Sequence, residues 1–237
     1  MTYVDGFVVA VPTANKQKYI DHAESALVLF KEFGVVRMVE GWGDDVPRGD
    51  VNDLWGAVQA TQDETVLFSW VEYPDKATRD AAGQKMMSDP RMAAMGDMPF
   101  DGRRMIYAGF EMLHEDGAGS DCGYIDGIVM PVPTANKDAY RAFCTMIDAA
   151  FREHGATRVV DTWGDDVPDG KVTDFRRATK IEDGETVVFG WVEWPSKAVR
   201  DAGWETLMSD PRMAPGQERP FDGKRMMFGS FVPVVDR

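Results

Sequence analysis

"YVDGFVVAVPTANK", residues 3–16, returns as "YIDGIVMPVPTANK" at residues 124–137, and the rest of the chain holds the same register. "WVEYPDKATRDA" (70–81) recurs as "WVEWPSKAVRDA" (191–202), "SDPRMA" (88–93) as "SDPRMA" (209–214), and "PFDGRRM" (99–105) as "PFDGKRM" (220–226). Roughly half of the paired positions are identical without an insertion, which marks one long unit duplicated in tandem and not a solenoid of short repeats. The expected division is a first repeat over residues 1–114, a linker "EDGAGSDCG" over 115–123 and a second repeat over 124–237. Gly, Ser and Asp in the linker suit an exposed connection.

Within a unit the hydrophobic period changes in a fixed order. "YVDGFVVAV" is apolar and β-rich, stops at Pro12 and reads as a strand. "NKQKYIDHAESALVLFKEF" sets Tyr19, Ala23, Ala26, Phe30 and Phe33 three or four apart and ends at Gly34, an amphipathic helix capped near Asn15. "VVRMVEGW" and "TVLFSWVEY" read as strands, "LWGAVQA" as a short strand between them, "DKATRDAAGQKMMSD" as a helix stopped by Pro90, and "RRMIYAGFEML" as the closing strand. This is the βαββαβ order of a ferredoxin-like unit, whose antiparallel sheet has helices on one face and an apolar face on the other. The second copy supplies the cover. The expected fold is therefore α+β, two tandem ferredoxin-like units whose sheets face each other as an intrachain dimeric α/β barrel, a covalent pseudo-dimer that can pair further.

The composition, 44% hydrophobic and 28% charged over 237 residues, belongs to a globular chain, and the net charge of -14 is spread over both halves. A polyanion would meet net repulsion, so nucleic acid is not an expected partner. No run reaches the roughly 18 apolar residues of a membrane span, and the start lacks a basic leader segment, so no membrane partner and a cytoplasmic location are expected. Cys122 and Cys144 have no partners in the first half, and Cys144 sits in an apolar helical stripe as a small buried side chain.

Most of the chemistry-bearing residues occur in pairs, one in each copy. "WGDDVP" occurs at 42–47 and 163–168, so Asp44, Asp45, Asp165 and Asp166 offer hard oxygen ligands, with Asp50, Asp53, Asp169 and Asp174 as helpers. The preferred reading is a turn cap for one Asp and an arginine for the other, with no metal. Trp42, Trp70, Trp163 and Trp191 either fill the core or line a cavity between the sheets. Glu72 and Glu193, in "WVE", are candidate general bases if they face inward without a partner, and structural if a helix arginine, Arg79 or Arg200, pairs with them. Arg91, Arg212, Arg104, Arg225 and Arg177 are candidate ligand-binding cations or partners of nearby carboxylates. His22, His114 and His154 have no counterparts in the other copy, and no nucleotide or triad motif is present, so no cofactor is expected.

"YVDGFVVAVPTANK", "WGDDVPDGKVTDFRRA", "FGWVEWPSKAVRDAG", "SDPRM" and "PFDGKRM" together resemble the YbaA-like bacterial family of unknown function, grouped with the dimeric α/β-barrel superfamily. The second half is the closer match, because the first has Trp55 and Gly56 where Arg176 and Arg177 stand. The resemblance implies no assigned reaction. The wider superfamily includes cofactor-independent monooxygenases, haem enzymes, isomerase-like proteins and ligand-binding regulators. The expectation is a small-molecule-binding α/β barrel acting, if it is an enzyme, without a cofactor on an aromatic or carboxylate-bearing metabolite. The alternative is a structural or protein-interaction protein whose inter-sheet space is filled.

Overall fold

A computed structural model describes residues 1–119, 122–214 and 219–237. The first unit runs β1 (Tyr3–Pro12), α1 (Lys16–Phe33), β2 (Arg37–Asp45), α2 (Leu54–Ala57), β3 (Glu64–Tyr73), α3 (Lys76–Ser88), α4 (Pro90–Ala93) and β4 (Ile106–Gly117). The second repeats the plan with β5 (Tyr124–Pro133), α5 (Lys137–Glu153), β6 (Arg158–Asp166), α6 (Phe175–Ala178), β7 (Glu185–Trp194), α7 (Lys197–Leu207) and β8 (Met227–Asp236). "LWGAVQA", expected as a strand, begins as the one-turn helix α2, because Asp53 caps it by accepting the Gly56 N–H at 2.6 Å. Asn15 does not cap α1; its amide donates to the Pro99 carbonyl at 2.9 Å. Gly34 ends α1 as expected, in the left-handed conformation at φ 109°. β4 continues through Glu115, Asp116 and Gly117 into the expected linker, since these residues pair with Val160, Val159 and Arg158 of β6. Ser120 and Asp121 of the linker lie outside the described residues.

Among the described residues the strands close into one barrel in the order β1-β3-β2-β8-β5-β7-β6-β4. Two seams join the copies, β2 to β8 and β4 to β6, and each contains register shifts. Those irregularities bend the edge strands of the two sheets toward each other, so no sheet edge is left unpaired.

The barrel interior is solid. Phe68 of the first copy stacks on Phe189 of the second at 4.2 Å with planes 8° apart, and Trp70 on Trp191 at 4.3 Å. Room for the phenylalanine pair comes from glycines in the repeated "DG" of β1 and β5. A Cβ on Gly6 would stand 3.0 Å from the Phe189 ring, and one on Gly127 would stand 2.8 Å from Phe68. Each copy thus lends the other a gap for its ring. The interior is plugged at one end by Leu54, Ala57, Phe175 and Ala178 of α2 and α6, which are tied across the copies by Asn52 to the Ala178 carbonyl and Thr173 to the Ala57 carbonyl.

Candidate functional site

The opposite end of the barrel holds Glu72 and Glu193. Each accepts the indole N–H of the tryptophan two residues before it, Trp70 or Trp191, at 3.0 Å. Their cations come from strands, not from the helix arginines. Arg158 grips Glu72 at 2.7 and 2.9 Å and reaches Glu193 at 3.2 Å, while Arg37 grips Glu193 at 2.8 and 2.9 Å. Burial alone would push Glu72 up, but the bonds and charge of Arg158 outweigh it and hold the carboxyl below its usual range. Arg79 instead holds Asp5 and Asp166, and Arg200 holds Asp126. Asp5, mostly enclosed, is pushed up to about 6 by burial, against the pull of Arg79.

The other residues singled out in the sequence lie apart from one another. Asp44 accepts from Lys197 at 2.8 Å and Tyr124 at 2.6 Å, and Asp165 from Lys76 and from Tyr3 at 2.9 Å, so both carboxylates bridge the copies. The amines hold both below the usual carboxylate range. Asp166 pairs with Arg79, while Asp45 ends β2 in register with Ser230. Asp174, like Asp53, caps a one-turn helix. Arg91 and Arg212 fold back on Asp89 and Asp210, Arg104 and Arg225 bond Glu64 and Glu185, and Arg177 bonds the Gly170 carbonyl. Trp42 and Trp163 pack outside the barrel against Tyr19 and Tyr140.

An apolar space lies outside the barrel, between α5 and the second sheet. A cavity of about 130 Å³ there is walled by Phe143, Ile147, Phe151, Val188, Trp204 and Phe221, with Arg212 and Arg219 also bordering it. Of the side chains picked from sequence, Trp191 and Arg212 border it. The inner stripe of α5 supplies Tyr140, Cys144 and Asp148, spaced by four, and β6 supplies Asp161. Gly190 of β7, opposite Asp161 in the ladder, keeps this floor open: a Cβ there would meet Asp161 Oδ1 at 3.1 Å.

Asp161 accepts from Tyr140 Oη at 2.9 Å and has Cys144 and Asp148 as neighbours. Asp148 is 2% exposed, and its Oδ2 receives no hydrogen bond from a fixed N–H or O–H, lying 3.5 Å from His114 Nε2 of β4. A buried carboxylate oxygen without a donor is costly, and a proton shared with Asp161 removes that cost. Burial first, then the charge of Asp161, pushes Asp148 up, and burial raises Asp161 as well. Tyr140 donates to Asp161 and not to Asp148, so of the two carboxyls Asp161 is the one whose ionised form is better supported. Burial also raises the Tyr140 hydroxyl and the Cys144 thiol, which stay protonated donors.

The first copy has a different polar set at these positions, with one carboxylate in place of two. The residues in register are Leu27 for Asp148, Ala23 for Cys144, Glu40 for Asp161, Ser69 for Gly190 and Val235 for His114. There Tyr19 Oη bonds Glu40 at 2.7 Å within a packed cluster. Asp148, Asp161 and Tyr140 were not singled out from the sequence, and His114 was set aside there as a ligand without a counterpart. The available signal was a carboxylate on the buried stripe of α5 at a position where the other copy has leucine.

Comparison with known proteins follows the same division. The family model described as a protein of unknown function, DUF1428, matches residues 2–102 and again 123–223, and the chain belongs to that family in two copies. The uncharacterised protein YbaA of Escherichia coli K12 is 59% identical over 117 residues, 49% of this chain and 100% of its own length. Among solved structures, a candidate monooxygenase of Lactobacillus acidophilus NCFM superposes with a TM-score of 0.60 at 8% identity, over 99% of this chain and 95% of its own. An anthrone oxidase-like protein gives 0.55 at 14%, over 100% and 92%. These likenesses show a shared fold. No described helix is long and apolar enough to cross a membrane.

Proposed function

We propose that this two-copy member of the DUF1428 family binds a small, largely apolar molecule in the cavity beneath α5, with the first copy serving as scaffold. The observation that carries this reading is the asymmetry: one copy keeps an apolar space of about 130 Å³ floored by Asp148 and Asp161, and the other fills the corresponding region. An apolar cavity close to this size, roughly 150 Å³, is known to stay dry and accept benzene. The cavity expected between the sheets gives way to the Phe68, Phe189, Trp70 and Trp191 stack, so the filled-core alternative describes the barrel interior and the binding role moves outside it. Asp148 and Asp161 are adjacent buried carboxyls whose burial raises the proton affinity of both, so the site can give or take a proton from a bound molecule without a cofactor.

Toluene and benzene serve as probes. Each is expected to raise the melting temperature of the wild-type chain and to alter the emission of Trp204. The double change Val188→Leu and Gly190→Ser, which installs the first copy's residues, is expected to weaken the response at least tenfold. No response from the wild type to any ring-sized probe would overturn the reading.

A further inference from the structure

Resting on that reading, we infer that the cavity's ligand is a neutral single-ring hydrogen-bond donor of the phenol class, its ring among the aromatic walls and its hydroxyl on the Asp148–Asp161 pair. Three observations converge on this class. Size is the first: about 130 Å³ accommodates one six-membered ring and little more.

Wall chemistry is the second. Phe143, Phe151, Trp204 and Phe221 line the space, Phe143 edge to face with Phe221 and Phe151 with Trp204, which is how a further ring would be received. The third is the mismatch between donors and acceptors at the floor. Asp148 Oδ2, buried at the cavity floor, has no hydrogen-bond partner among the described residues, while Asp161 receives the Tyr140 hydroxyl. Spare capacity is for accepting, so the ligand must donate.

Charge selects against the other ring compounds that would fit. A carboxylate ligand would bring a further ionisable carboxyl beside Asp148 and Asp161 in an apolar space, where its charge is disfavoured by desolvation and by any charge on the pair. Of the two arginines at the border, Arg212 and Arg219, the first is already engaged by Asp210 and Glu153. A ring with no polar group would fill the space and leave the floor unused.

The test is calorimetric titration of the full chain with toluene, phenol and benzoate, repeated on Asp161→Asn. Phenol is expected to bind about tenfold tighter than toluene, the size of one hydrogen bond to a charged acceptor. Benzoate is expected to be the weakest. Asp161→Asn is expected to keep toluene binding, which reports an intact cavity, and to lose most of the phenol preference. Should that variant fail to fold, Tyr140→Phe provides the second test, since it frees an acceptor site on Asp161 and is expected to widen the preference. Equal binding of toluene and phenol, or benzoate binding tightest, would overturn the ligand class while leaving the cavity occupied. Failure of all three to bind would overturn the cavity reading itself.

Discussion

Phe68 and Phe189 occupy the same place in the two copies and lie face to face, 4.2 Å apart with planes 8° from parallel, at the centre of the barrel. Both are fully buried, and each ring rests over a glycine of the opposite copy. The duplicated unit therefore meets itself in its own core. Phe189→Ala is expected to cost about 3–5 kcal/mol, the range for truncating a buried aromatic ring. Denaturant unfolding followed by tryptophan fluorescence should show a lower midpoint in a single transition, because both copies share this core. Two separated transitions would contradict one core.

Gly127→Ala probes the same contact from the other side. The added methyl would stand 2.8 Å from the Phe68 ring, which cannot retreat because Phe189 backs it. The expected loss is about 1–3 kcal/mol from overpacking. Combining it with Phe68→Ala, which vacates the space, should give less than the sum of the two separate losses.

Arg158→Met tests the charged end of the barrel. It would leave Glu72 and Glu193 sharing Arg37, which lies 3.8 Å from Glu72. Removing one partner of a buried ion pair typically costs about 3–5 kcal/mol. The sign with pH follows from the depressed Glu72 carboxyl: its stabilisation is present above the ordinary glutamate value and is lost as pH falls through the lower folded-state value. The acid limb of the stability curve should therefore be steeper in the wild type than in Arg158→Met.

Asp148→Asn is expected to raise stability near pH 8 by about 1–3 kcal/mol, since its carboxyl is held protonated by burial and by Asp161. The sign is the reverse of Glu72. A raised folded-state value gives stability that is complete below the ordinary aspartate range and declines as pH rises toward the raised value. Thermal midpoints measured from pH 5 to pH 8 should fall in the wild type and stay flatter in the variant. Equal slopes would place the proton elsewhere.

Lys197→Met removes a cation from Asp44 at the exposed junction of the copies, where both side chains are about half exposed. A screened pair of this kind contributes about 0–1 kcal/mol. The change should be small and should shrink further in 0.5 M salt.

Much of the architecture was legible because it repeats. The common offset of "YVDGFVVAVPTANK" and its second copy exposed the duplication, and a sheet with one unpaired apolar face demands a partner. Local chemistry was less legible. Asp53 at the head of "LWGA" turned an expected strand into a capped helical turn, because one hydrogen bond to Gly56 decides a four-residue segment. Glu72 was readable as a base or an ion-pair member, but its partner, Arg158, lies on the other copy's strand, beyond any local pattern.

The sequence by itself determined the duplication, the α+β plan of each unit and the need for the two sheets to meet, because hydrophobic period and turn residues act over a few positions. Tertiary structure alone decided where space remains. Whether Trp70 lines a cavity or fills it depends on Trp191 stacking over it across the barrel, and whether Asp148 is solvated or shares a proton depends on Asp161 of a strand packed beneath its helix. Packing and proton affinity are properties of neighbours in space, and these neighbours come from segments the chain holds apart until it folds.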